Sequence, residues 1–236
     1  MHARTPLFTA AVVFAISMFV ATFARAQCPS STLSCYPVTS SQQAIIDLVC
    51  PNDGGVIHIN LITGMFSASG SGSSHGGRGE FTAMDRYTLS GLPAGTPATI
   101  TAKLHLTGST ASGCVPLNST SWPQGTVSGG FYYSGTYNTV SVSSPLTQCS
   151  GASCCTGPAS MNQDVTRSIS CLAGQAFDLG TTLFAGASGG GSNISGTLTF
   201  ESLPAGASIV SCQGFTQSAP VAANATSWGK LKQIYR

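Results

Sequence analysis

The sequence predicts an all-β fold, an antiparallel β-sandwich or jelly roll followed by a short C-terminal tail. Apolar and polar residues alternate in several segments, as they do in strands that bury one face. Gly, Ser, Pro and Asn separate these segments at short intervals, which is typical of the turns of antiparallel sheets. Helical periodicity is scarce, so these two patterns together favour a sandwich of strands.

Residues 1–26 have the features of a signal peptide. A short segment with His2 and Arg4 precedes an apolar run from Leu7 to Phe23, and Ala24-Arg25-Ala26 resembles a cleavage site. The alternative is an uncleaved anchor, because the run approaches the roughly 18 residues of a spanning helix. The small residues favour cleavage, so we expect a secreted chain, extracellular or periplasmic, without a membrane span.

The strand predictions follow from alternation along the chain. The clearest strand runs from Ala98 to Leu106, and a second runs from Val56 to Ile62 with Ile57, Ile59 and Leu61 on one face. Shorter runs of the same kind contain Tyr87 and Leu89, Val140 and Val142, and Leu198 and Phe200.

Other segments depart from alternation. Ile45, Leu48 and Val49 could share one face of a short helix that ends in the turn after Cys50. Residues 67–79 and 186–192 consist mainly of Gly and Ser, and this composition predicts two mobile surface loops.

A short motif occurs twice. Tyr87-Thr-Leu-Ser-Gly-Leu-Pro-Ala-Gly95 is echoed by Leu198-Thr-Phe-Glu-Ser-Leu-Pro-Ala-Gly206, and each copy reads as a hairpin. In each β-turn we expect Pro at the second position and Gly at the fourth. Because the rest of the chain does not repeat, we prefer one domain, residues 27–222, over two copies. Residues 223–236 then form an appended tail.

All nine cysteines follow the predicted signal peptide, and an exported chain meets an oxidising compartment where disulfides form. Alternation places Cys171 and Cys212 on inward faces of their strands, which predicts a bridge between them. Cys114 with Cys149 is a second candidate pair. None of the cysteines has the spacing of a zinc or redox motif, and the odd number leaves one thiol free or bonded to another chain.

The repeated motif, Ser211-Cys-Gln-Gly-Phe215 and the ending Ser227-Trp-Gly-x-Leu-Lys-x-x-Tyr-Arg236 together resemble a group of uncharacterised secreted bacterial proteins. The resemblance covers about a third of the chain. It implies a β-sandwich and an exported tail, and it implies no activity.

Charge excludes one class of function. Without Arg4 and Arg25, seven basic residues balance seven acidic ones, and the basic residues cluster only at the C-terminus. Nucleic-acid binding depends on phosphate neutralisation by clustered Lys and Arg, so we do not expect it.

Catalytic patterns are weak in the sequence, and we predict no catalytic residue, no cofactor and no metal. His58 and His105 could meet on outer strand faces, but a metal site needs a third ligand. His75 lies in a glycine-rich stretch that would not hold catalytic geometry. Glu80 and Asp85 are the nearest candidates for a carboxylate pair, yet the acids are scattered. A nucleophile elbow is absent, although a Ser-His-Asp hydrolase remains an alternative.

Aromatic residues are the best candidates for binding. In the run from Phe131 to Tyr133, alternation buries Phe131 and Tyr133 and turns Tyr132 outward. Tyr132 and Trp122 could therefore contact a glycan or a protein. The sequence predicts a secreted, non-enzymatic structural or interaction module for an extracellular partner, with a carbohydrate-binding module as the first alternative and a secreted hydrolase as the second.

Overall fold

The computed structural model describes residues 27–35, 38–50, 54–72, 76–111, 113–116, 124–150 and 153–220, all of them in strands, turns or coil. The predicted signal peptide, His75, Trp122 and the C-terminal tail lie outside these ranges. In chain order the strands are β1 (Ser31–Cys35), β2 (Val38–Ser41), β3 (Ile45–Cys50), β4 (Gly55–Asn60), β5 (Met65–Gly72), β6 (Gly77–Ser90), β7 (Pro97–Thr110), β8 (Gly113–Pro116), β9 (Gln124–Tyr133), β10 (Thr136–Ser143), β11 (Leu146–Ser150), β12 (Ser153–Thr156), β13 (Ala159–Leu172), β14 (Ala176–Ser188), β15 (Gly190–Glu201), β16 (Ser208–Ser211) and β17 (Thr216–Ser218).

Two large antiparallel sheets pack against each other, which confirms the predicted all-β class. The eight-stranded sheet has the order β10-β9-β14-β6-β1-β2, with β16 also paired to β6 and β17 paired to β16. The six-stranded sheet has the order β13-β7-β15-β5-β4-β3, and β11-β12-β8 form a small third sheet. Within the described ranges, no helix is long and apolar enough to cross a membrane.

The core lies between the two large sheets and follows the predicted alternation. On β7, Ile100, Ala102, Leu104 and Leu106 are fully buried, and β4 buries Ile57 and Ile59. Each fully buried large side chain contributes about 2 kcal/mol by leaving water. One hydrophobic cluster contains residues of both sheets, so the sheets share a single interior.

The predicted helix around Ile45 is wrong, because these residues form β3 at the edge of the six-stranded sheet. Ile46 is buried, whereas Ile45 and Val49 are exposed on the outer face. Because β3 carries apolar residues on both faces, it lacks the alternation by which a strand is recognised in the sequence.

The predicted glycine-rich loops are also wrong, since most of their residues form the ends of β5, β6, β14 and β15. At these ends the chain crosses between the sheets, and the two backbones approach closely. A Cβ atom on Gly77 would lie 1.9 Å from the carbonyl oxygen of Ser71, and one on Gly70 would lie 2.5 Å from that of Gly77. Glycine is needed here for close backbone contact rather than for mobility.

The two copies of the repeated motif form the same turn. The amide of Thr96 donates to the carbonyl of Pro93 at 3.1 Å, and that of Ala207 donates to Pro204 at 2.9 Å. Pro therefore stands first and Gly third, not second and fourth as predicted. Gly95 has φ of 80°, as the third position of a type II turn requires.

These motifs are not hairpins, because their strands belong to different sheets. The first turn leads from β6 in the eight-stranded sheet to β7 in the six-stranded sheet, and the second leads from β15 back to β16. Two of the pairings correspond as well: β6 pairs with β14 and β16 as β15 pairs with β5 and β7, while β6 also pairs with β1. The repeat thus has a pseudo-symmetric structural counterpart, while the boundaries 27–222 stay a prediction.

Both predicted disulfide pairs are wrong. The bonded pairs are Cys28–Cys212, Cys35–Cys50, Cys114–Cys155 and Cys149–Cys154, and Cys171 has a free thiol. Cys212, directly after β16, is bonded to Cys28 instead, and Cys171 lies near the end of β13, an edge strand of the six-stranded sheet. Cys114 and Cys149 instead face Cys155 and Cys154 directly across the strands of the small sheet. The Cys35–Cys50 bond joins β1 to β3 and so links the two large sheets.

Candidate functional site

The outer face of the eight-stranded sheet carries a pair of tyrosine rings. Tyr132 on β9 lies directly opposite Tyr137 on β10, and their ring centroids are 4.8 Å apart. Tyr137 is 63% exposed. Tyr132 faces outward, as alternation predicted. Successive side chains of a strand point to opposite faces, and the neighbouring Phe131 is buried in the core.

A groove of about 410 Å³ lies on this face. Its lining residues come from β1, β2, β6 and β10, so it lies across several strands, and Leu33, Cys35 and Phe81 line it although their side chains are buried in the core. The groove is lined by Thr32, Leu33, Ser34, Cys35, Thr39, Glu80, Phe81, Thr82 and Tyr137. Its volume is at the lower end of the range of small-molecule sites.

One ion pair lies at the groove. The guanidinium of Arg78 donates to the carboxylate of Glu80 at 2.6 Å and to the hydroxyl of Ser34 at 2.7 Å. The contact orients the Glu80 carboxylate in the groove lining and compensates its charge. Glu80 does not pair with Asp85, because the two side chains point to opposite faces of β6.

Asp85, the other candidate for a carboxylate pair, is buried, which the sequence did not predict. Its side chain has no solvent-exposed area and faces the core. Oδ1 accepts hydrogen bonds from the amides of Arg86 at 2.7 Å and Gln213 at 3.2 Å, while Oδ2 has no partner among the described residues. Burial raises the pKa of Asp85 to about 6, although the hydroxyl of Ser211 and the amides of Arg86 and Gln213 act in the opposite direction. Asp85 thereby attaches the segment after β16 to β6.

The two histidines do not meet, because β5 and β15 lie between β4 and β7. Each instead contacts an aspartate on the neighbouring strand: His58 Nδ1 bonds Asp47, and His105 Nδ1 lies 2.7 Å from Asp164. The hydrogen bond from His105, followed by that from Lys103, lowers the pKa of Asp164. Neither pair gains a third ligand, and no group of three metal-binding side chains occurs in the described ranges.

One row of side chains resembles a catalytic triad in composition. Asp47, His58 and Ser67 are register partners on adjacent strands and share the outer face of the six-stranded sheet. The side chain of Asp47 is 70% exposed and that of His58 is 42% exposed. A catalytic triad needs a buried aspartate that orients the histidine, and it needs donors for the oxyanion. This row was not predicted, because the segment that contains Asp47 was expected to form a helix, whereas it forms β3.

The remaining acids in the described ranges form surface ion pairs. Asp178 receives two hydrogen bonds from the guanidinium of Arg86, at 2.7 and 3.0 Å. Glu201 lies 2.8 Å from the ammonium of Lys103, which also contacts Asp164. These pairs hold neighbouring strands together across the sheet surface.

A scan against protein-family models finds none that matches this chain, and a search of curated proteins finds no match either. The resemblance to secreted bacterial proteins therefore stays a prediction.

Proposed function

We propose that the protein is a secreted, non-enzymatic interaction module that binds its partner on the outer face of the eight-stranded sheet. The observation that carries this proposal is the exposed Tyr137 ring, which packs on Tyr132 beside an open groove. Exposed aromatic rings are frequent anchors of binding, since they bury a large area at a small cost in side-chain entropy.

Export is supported by the predicted signal peptide and by the four disulfides. Such bonds persist in oxidising compartments and are rare in the cytosol. A non-enzymatic role is supported by the exposure of Asp47 and His58. Water around these side chains screens the electrostatic interaction by which an aspartate would orient a catalytic histidine.

The test is capture of an extracellular partner by residues 27–236, compared with Tyr137→Ala and Val49→Ala. Val49 is 68% exposed on the other large sheet, so its variant removes a similar exposed apolar group elsewhere. We expect capture by the wild type and Val49→Ala and loss of capture by Tyr137→Ala.

Equal capture by all three proteins would place the binding surface elsewhere. Turnover of ester, peptide or glycoside substrates that disappears in His58→Ala would overturn the non-enzymatic assignment.

A further inference from the structure

The groove combines one exposed aromatic ring, that of Tyr137, with hydroxyl groups. Tyr137 stands at one end of the strand order on β10, and Thr39 stands at the other end on β2. Further hydroxyls come from Thr32, Ser34 and Thr82. A groove that crosses the strands in this way suits an extended ligand rather than a compact one.

The charge of the groove disfavours ionic ligands. Arg78 is bonded to Glu80, so its positive charge is already compensated. Phosphate groups, nucleic acids and acidic sugars draw their affinity from uncompensated Lys and Arg, which these groove residues do not provide. The ligand that fits such a lining is uncharged.

The hydroxyl groups disfavour a purely apolar ligand. A lipid chain or an apolar peptide side chain would cover Thr32 and Thr82 without offering hydrogen bonds, and an unsatisfied buried hydroxyl is costly. A sugar ring offers hydroxyl groups at its edge and C–H groups on its face, where a tyrosine ring can pack.

We infer that the groove between Tyr137 and Thr39 binds a neutral polysaccharide chain, with Tyr137 and Tyr132 packing against sugar rings and Glu80, Thr82 and Thr32 bonding their hydroxyl groups. This inference rests on the binding face proposed for the protein. It adds the chemical class of the ligand and the polar residues that recognise it.

The experiment is affinity electrophoresis of residues 27–236 in gels that contain a soluble β-glucan, a galactomannan, a neutral xylan or, for comparison, polygalacturonate. The variants are Tyr137→Ala, Tyr137→Phe and Glu80→Gln, with Val49→Ala as the control. We expect retardation by at least one neutral polysaccharide. Binding should weaken about tenfold or more in Tyr137→Ala and stay within about threefold in Tyr137→Phe, which keeps the ring.

The outcomes separate this inference from the proposed function. Retardation that Tyr137→Ala leaves unchanged would overturn the assignment of the groove. Retardation by polygalacturonate alone would overturn the neutral class. If none of the four polymers retards the protein, and Tyr137→Ala still abolishes capture of a protein partner, the glycan inference fails while the interaction module stands. If no polymer retards the protein and Tyr137→Ala does not reduce capture of a partner, both the glycan inference and the proposed binding face are overturned.

Discussion

The buried carboxylate of Asp85 makes stability depend on pH in an unusual direction. Its pKa in the folded protein is about 6, against an ordinary value of 3.8, chiefly because burial disfavours the charge. Between these values the folded state holds a proton that the unfolded state has released. Stability contributed by this group is therefore complete below pH 3.8 and is lost as pH rises through 6. The difference of about 2 pKa units corresponds to about 3 kcal/mol.

Asp85→Asn should remove this penalty, because asparagine has the shape of the protonated acid. Its Oδ1 can still accept from the amides of Arg86 and Gln213. We expect the variant to be more stable than the wild type by up to about 3 kcal/mol at pH 7–8 and similar to it near pH 4.

The assay is urea unfolding of both proteins from pH 4 to 8 with disulfides intact. The difference between the two curves cancels the contribution of every group that titrates equally in both proteins. Glu201→Gln is the control, since it removes an outer-face acid bonded to Lys103 and should give no gain at pH 7. A difference between wild type and Asp85→Asn that does not grow between pH 4 and 7 would refute the reasoning.

Three further predictions concern the backbone, the disulfides and the tail. Gly77→Ala should destabilise the fold by about 3 kcal/mol because its methyl group meets a carbonyl oxygen, whereas Gly135→Ala, with open space but a φ of 79°, should cost about 1 kcal/mol; urea unfolding compares them. Replacing Cys28 and Cys212 by Ser should cost about 5 kcal/mol and replacing Cys149 and Cys154 about 2 kcal/mol, since the first bond closes a loop of 184 residues and the second one of 5; equal losses would contradict this order. Deletion of residues 227–236 should lower either export or the melting temperature, and no change in both would exclude a role for the tail in sorting and in docking.

Alternation predicted the strands where each strand has one polar and one apolar face. It worked for β7, whose buried residues alternate with Thr99, Thr101 and Lys103. It failed for β3, because Ile45 and Val49 are apolar residues on an outer face. The local pattern identifies a strand only when the face that contacts water carries polar side chains.

Features that depend on strand order could not be derived from the sequence. Cys171 and Cys212 both lie at the ends of alternating segments, yet Cys212 bonds Cys28, which lies 184 residues earlier in the chain, before β1. Tyr132 was predicted from alternation, whereas its partner Tyr137 and the groove residues of β1 and β2 come together only through pairing across the sheet. Glycine-rich composition predicts mobility and close backbone contact equally well, and only the packing of β5 on β6 decides between them.

The bond between Cys28 and Cys212 has a mechanical consequence. It joins the segment before the first strand to the segment after β16, so nearly all of the folded chain lies within one covalent ring. Tension applied at the two termini would pass from one sulfur to the other, and the strands inside the ring, β1 to β16, would bear little load. Unless that bond is reduced, a protein held at one end and pulled at the other should lengthen only by its terminal segments.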